Sequence, residues 1–92
     1  MNRKAKGNRN EHKTIKLLES LGYSCFRMAG SLGKFDVIGI SATDFVCVQV
    51  KSNRMPGTVE IEAIKNFNAP ANCRKLIHVW QDRQRLPFVK EV

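Results

Sequence analysis

Asp36, Gln49 and Lys51 are a carboxylate, an amide and an ammonium set into two neighbouring apolar runs, 34–40 and 45–51. Both runs are rich in β-branched and aromatic residues, and the polar break Ser41-Ala42-Thr43-Asp44 separates them, so they predict two β-strands joined by a hairpin. Side chains alternate along a strand, which puts Gln49 and Lys51 on one face. A symmetric loop sets position 40 across from 45, 38 across from 47, and 36 across from 49. The three polar groups then share one patch of sheet. Burying them is costly unless they bind something. A divalent metal and a phosphate fit that chemistry.

The elements that must carry these residues can be read on either side. Residues 1–7 read as a mobile basic arm, and Gly7-Asn8 opens a helix running to about Leu21, where Gly22 stops it. Tyr23 to Ala29 is a strand candidate, and Gly30-Ser31-Leu32-Gly33 is a loop by its glycines. Thr58 can cap a second helix through about Phe67, with Glu60 and Glu62 in its first turn and Lys65 near its end. Arg74 to Gln81 is a further strand, and Phe88-Val89 a short edge strand. The order α-β-β-β-α-β, plus the extra strand, argues for an α/β (α+β) mixed sheet with helices packed on it, in a single domain over 1–92.

Two readings of Glu11 stand side by side. On the first helix, Ile15, Leu18 and Leu21 form the apolar stripe, and Glu11 falls within about 40° of its centre, which aims an acid at the sheet. Alternatively, Asn8-x-x-Glu11 is a capping box in which Glu11 returns to the Asn8 backbone N–H. His12 points about 100° away from Glu11 and reads as solvated. His78 and Trp80 alternate on one strand face and read as partial core or sheet edge rather than as a base-stacking platform.

Charge narrows the partner. The net charge is +8, and its distribution is uneven. Residues 1–16 hold six basic residues against one acid, residues 17–72 hold five of each, and residues 73–92 hold five against two. Positive ends around a balanced middle point to nucleic acid. Lys or Arg interrupts every apolar run, so no membrane span is expected. Cys25, Cys47 and Cys73 are widely spaced without a C-x-x-C pair, which argues for reduced thiols in a cytoplasmic, reducing setting and against zinc.

Four segments, in order, carry a family resemblance: Lys6-Gly7-x-x-x-Glu11 leading into a helix, Arg27-Met28-Ala29-Gly30-Ser31 leaving a strand, Phe35-Asp36-Val37-Ile38-Gly39, and Gln49-Val50-Lys51-Ser52. Together they resemble the PD-(D/E)XK nuclease superfamily, and within it the archaeal-type Holliday-junction resolvases and their short relatives. The resemblance implies a restriction-endonuclease-like core and a structure-selective DNA endonuclease that depends on Mg²⁺, with Mn²⁺ as a substitute. It implies a metal site of Glu11, Asp36, Gln49 and the Val50 carbonyl, with Lys51 beside the attacking water and Ser31 near the scissile strand. Branched DNA is the implied substrate and a homodimer the implied assembly. Arg3, Lys4, Lys6, Arg9, Arg27, Lys34 and Arg54 are the expected contacts to nucleic acid.

Two positions depart from the family pattern. Phe35 replaces the usual proline before the aspartate, and Gln49 replaces the usual acid. Glutamine keeps an oxygen donor but removes a negative charge, which should weaken the hold on a hard cation. A non-catalytic nucleic-acid-binding module on the same fold is therefore the competing expectation.

Overall fold

The computed structural model describes residues 3–28 and 34–92, residues 3–5 by their backbone alone. The elements are α1 (Arg3–Ser20), β1 (Ser24–Arg27), β2 (Val37–Ile40), β3 (Phe45–Ser52), α2 (Thr58–Lys65), β4 (Cys73–Trp80) and β5 (Phe88–Glu91). They form one sheet in the order β1-β2-β3-β4-β5. The β3–β4 pair is parallel, joined through α2, and the other pairs are antiparallel. The expected element order, extra strand included, is what the chain adopts.

The hairpin register is the expected one: Ile40 faces Phe45 and Ile38 faces Cys47. Its four-residue loop is closed by Ser41, whose N–H donates to the Asp44 carbonyl at 2.9 Å. Gly39 has a packing reason. A Cβ there would lie 2.8 Å from Val46 Cγ2 and 3.2 Å from Tyr23 Cβ, so only glycine lets β2 pass under Tyr23.

The helices differ from expectation at their starts. The expected arm over residues 1–7 gives way to helix from Arg3, and residues 1 and 2 lie outside the described residues. Lys, Arg and Ala are good helix formers, and a glycine inside a helix costs only about 1 kcal/mol. Tertiary bonds also hold α1 beyond Gly7: Asn10 Nδ2 donates to Ser52 Oγ at 2.6 Å, and the Asn8 side-chain oxygen accepts from Arg27. Gly22 does end α1, at φ +98°, with Gly22 N–H bonded to the Glu19 carbonyl and Tyr23 N–H to that of Leu18. This is a Schellman stop, and it leaves Leu21, expected in the core, 66% exposed. Thr58 is the first helical residue of α2, not its cap; Gly57 occupies the cap position.

The sheet has two cores. Under α1 lie Leu18, Val37, Val46, Val48 and Leu76. Under α2 lie Phe35, Cys47, Ile64, Ile77 and Val79. His78 and Trp80 are fully core rather than sheet edge, and both reach Thr14 on α1. Trp80 Nε1 donates to Thr14 Oγ1 at 2.7 Å, and Thr14 Oγ1 lies 3.1 Å from His78 Nδ1. The Thr14 oxygen thus accepts from Trp80 and shares a second hydrogen bond with His78 Nδ1. Burial pushes the His78 pKa down to about 4. All three cysteines are free, as expected, with the sulfurs of Cys47 and Cys73 3.3 Å apart. No helix among the described residues is long and apolar enough to cross a membrane.

Candidate active site

Asp36 sits one residue before β2, where the hairpin ladder becomes irregular. Its N–H donates to the Val48 carbonyl at 2.8 Å, while its own Oδ2 accepts the Val50 N–H at 2.8 Å. The two bonds bracket Gln49. The carboxylate is thus fixed against the β3 backbone rather than left to swing from a strand end. Burial pushes the Asp36 carboxyl above the ordinary aspartate range. The Val50 N–H pulls it back, Glu11 pushes it up again, and Lys51 and Arg27 pull it down. Glu11, Lys51 and Arg27 therefore all lie within electrostatic reach of Asp36.

Each of these residues arrives on a different element. Glu11 projects from α1 and meets Arg27 of β1, with Arg27 Nε 2.7 Å from Glu11 Oε1. Asn8, one turn earlier, accepts from the same guanidinium. The capping-box expectation is thereby overturned: Asn8 lies inside α1, and the Glu11 carboxylate goes to Arg27. Gln49 and Lys51 alternate along β3 with Val48, which belongs to the core under α1. The alternation turns them to the face of Cys47, under α2. There Lys51 Nζ lies 3.7 Å from Glu60 Oε2 of α2. Asp36 thus stands at the rim of the sheet between an acid–guanidinium pair on one face and an amide and ammonium on the other.

Beside the rim opens a cleft of about 690 Å³ lined by Val50–Gly57 and Glu60. Lys51 and Arg54 belong to its wall. Lys34 is exposed next to Phe35. Ser31, and the side chains of Arg3 and Lys4, lie outside the described residues. Lys6 is bonded to Asp82, 2.8 Å away, so its charge is partly used within the chain.

Sequence reading missed three participants. Glu60 reads locally as a favourable acid in a helix first turn, and only the α2 crossover brings it to Lys51. Asn8 reads as a helix opener, yet it supports Arg27. Asn10 carries no signal until Ser52 is seen opposite it. The spacing Glu11–Asn8, one turn apart, was the one available clue that both could reach the same cation.

The candidate oxygen donors are divided: Glu11 acts on Asp36 from the α1 side, while the Gln49 amide lies on the α2 face. A hard divalent cation takes oxygen donors of these kinds together with waters, and Mg²⁺ in particular keeps several waters. The elevated Asp36 carboxyl beside a second acid is also a place where an added positive charge would be stabilising. Among the described residues no group of three or more His, Cys, Asp or Glu converges.

Two solved structures share this arrangement of strands and helices. One is Hjc of Archaeoglobus fulgidus, described as a Holliday junction resolvase from an archaeal hyperthermophile, with a TM-score of 0.68 at 19% identity over 86% of this chain. The other is the bacterial homing endonuclease I-Ssp6803I, with a TM-score of 0.65 at 17% identity over 99% of this chain. This chain spans 67% and 66% of their respective lengths. These likenesses establish the restriction-endonuclease-like fold. The family model for archaeal Holliday junction resolvase (Hjc) matches residues 2–90, nearly the whole chain. Fold, segment order and this match agree, and the chain belongs to the archaeal Holliday junction resolvase family, within the PD-(D/E)XK group of nucleases.

Proposed function

We propose that this protein is a divalent-metal-dependent endonuclease that hydrolyses a phosphodiester in branched DNA, with Mg²⁺ as its cofactor and Mn²⁺ as a substitute. The observation that carries the reading is the setting of Asp36. It is anchored on the Val50 N–H, raised by burial, and shares its field with Glu11, Lys51 and Arg27. A carboxylate held that way binds a cation better than it tolerates being alone.

Asp36, Glu11, the Gln49 oxygen and the Val50 carbonyl would hold the metal. When bound, the ion supplies an activated water and neutralises charge at phosphorus. Lys51 stabilises the developing negative charge, and does so more strongly once DNA excludes water from the rim. Its loose partner Glu60 keeps the ammonium oriented until phosphate arrives. Arg27, Lys34 and Arg54, with the basic residues at the start of α1, contact the DNA backbone, and Ser31 approaches the scissile strand. The work is done inside the cell, with the thiols reduced.

A second copy of the chain is the proposed partner. On the α2 face of the sheet, Phe26 of β1, Ile40 of β2 and Phe45 of β3 are exposed, beyond the reach of the eight-residue α2. Sedimentation of wild type and Phe26→Glu tests this; a wild type that is monomeric at every concentration removes the dimer.

Gln49 favours one competing reading, a DNA-binding module without cleavage, because the amide brings no charge to the metal. Cleavage of four-way, flapped and linear DNA with Mg²⁺ or Mn²⁺ separates the two. The nuclease reading expects cutting by wild type, none by Asp36→Ala, and a lower Mg²⁺ requirement for Gln49→Glu. If neither wild type nor Gln49→Glu cuts DNA that both bind, the binding module stands instead.

A further inference from the structure

The flank of α1 turned away from Glu11 carries a second charged feature. Lys6, Arg9, Lys13 and Lys16 recur at helical spacing and fall within an arc of about 80°. They run about 15 Å along the helix axis. Glu11 and Glu19 lie on the other side, roughly 140–220° around the helix when Lys6 is set at zero. Neighbours three and four apart on a helix interact, and like charges there are destabilising by about 0.2–0.5 kcal/mol per pair. Lys6–Arg9, Arg9–Lys13 and Lys13–Lys16 are three such pairs in a row. An ordinary solvated helix intersperses its signs, and this one does not.

The turn between β4 and β5 brings more positive charge to the same flank. Lys13, Lys16, Leu17, Trp80 and Arg85 line a groove of about 380 Å³ between α1 and that turn. Lys13 is exposed, and its Nζ lies 5.4 Å from the centre of the Trp80 ring. Trp80 itself is 3% exposed and offers no face for stacking a base. Arg83 and Arg85 are exposed, and neither they nor Lys16 make an ion pair among the described residues. The turn is held in place. Asn53 Oδ1 accepts the Asp82 N–H at 3.0 Å, and Lys6 bonds the Asp82 carboxylate. Among the described residues Asp82 is the one acid on this surface, against six cations, and Lys6 and Arg9 hold it below the ordinary aspartate range.

We infer that this rail, with Lys13, Lys16, Arg83 and Arg85 as its exposed members, binds the phosphate backbone of a second duplex arm, distinct from the one presented to Asp36. The inference rests on the DNA reading above and adds where the remainder of the DNA lies. The partner is a regular polyanion, because evenly spaced cations on a rigid helix, with no apolar anchor between them, match phosphates rather than a folded surface. It is a second arm because the rail and Glu11 lie on opposite flanks of α1. A helix with its side chains is about 10–12 Å across. Backbone reaching both flanks is what a branch point supplies.

The test compares wild type with the four-fold variant Lys13→Gln, Lys16→Gln, Arg83→Gln, Arg85→Gln. Binding to a four-way junction and to a linear duplex is measured by fluorescence anisotropy across a salt series. The rail predicts at least a tenfold loss of junction affinity, a salt slope shallower by about 3–4, and a clearly smaller loss on the linear duplex. Lysine acetylation of the wild-type protein, read by mass spectrometry, needs no variant: the junction should protect Lys13 and Lys16. Unchanged junction binding by the variant, equal losses on both DNAs, or unprotected lysines in a wild type that binds the junction would each overturn the rail alone. A wild type that binds neither DNA would overturn the DNA reading together with it.

Discussion

Arg27 Nε lies 2.7 Å from Glu11 Oε1, so the helix acid of the candidate site is already neutralised by a cation of the chain itself. Any metal ion that uses Glu11 shares it with a guanidinium. Arg27→Gln removes that competitor. The variant is expected to need less Mg²⁺ for half-maximal cleavage and to bind DNA several-fold more weakly, since one phosphate contact is lost. Metal titration by calorimetry in the absence of DNA checks the first effect, and anisotropy checks the second. Weaker metal binding in Arg27→Gln would mean that the guanidinium orients Glu11 rather than competing for it.

Asp36 sets function against stability. Burial, then Glu11, raise its carboxyl. A folded chain that binds the proton more tightly than the unfolded chain is destabilised once pH exceeds the folded value. At neutral pH the ionised Asp36 therefore works against the fold. Asp36→Asn keeps an oxygen for the Val50 N–H and removes the charge. Its melting temperature at pH 7 should exceed that of wild type, the difference vanishing at a pH where wild-type Asp36 is protonated, and cleavage should be abolished. A variant that melts lower at neutral pH would assign the ionised carboxylate a net stabilising role.

His78 makes the fold acid-labile. Its pKa is pushed from the ordinary histidine value of 6.5 down to about 4 by burial. The neutral ring is the folded form, so stability is full above pH 6.5 and declines as pH falls toward 4. The full loss amounts to about 3 kcal/mol. Urea unfolding at pH 7 and at pH 4.5 measures it. In His78→Asn, whose amide oxygen can accept from Thr14, this part of the pH dependence should disappear. An identical slope in the variant would place the acid sensitivity elsewhere.

Gly39 is required by contact rather than by backbone conformation. A methyl group there meets Val46 Cγ2 at 2.8 Å, and Val46 is fully buried and β-branched. Gly39→Ala should cost about 1–3 kcal/mol, visible as a lower urea midpoint with an unchanged slope. Val46→Ala in the same chain should recover part of it. Failure of the second substitution to rescue would show that Tyr23, not Val46, is the obstacle.

The hairpin was readable because one polar break and strict alternation left one register open, and Ile40–Phe45 and Ile38–Cys47 pair accordingly. The two-faced arrangement around Asp36 was not readable. A simple ladder continues to position 36, whereas the chain sends Asp36 N–H back to Val48 and its side chain forward to Val50. The start of α1 misled for a related reason. Gly7 and Asn8 are local stop-and-start signals, but the bonds of Asn8 to Arg27 and Asn10 to Ser52 are long-range and outweigh them. Leu21 failed in the opposite sense: helical periodicity placed it in the core, and the Gly22 stop turned it out. Glu60 shows the limit most plainly, since nothing local to α2 refers to Lys51.

Thr14 gives α1 a property that matters to any ligand it meets. The helix is fastened at three heights: Glu11 to Arg27, Asn10 to Ser52, and Thr14 to Trp80 and His78. Stripping a buried polar group of its partner costs about 1–3 kcal/mol, so α1 can neither roll nor slide without losing several such bonds together. Its two flanks therefore act like the jaws of a fixed caliper. A ligand touching both must bring its own parts to that separation, and the bending is done by the ligand.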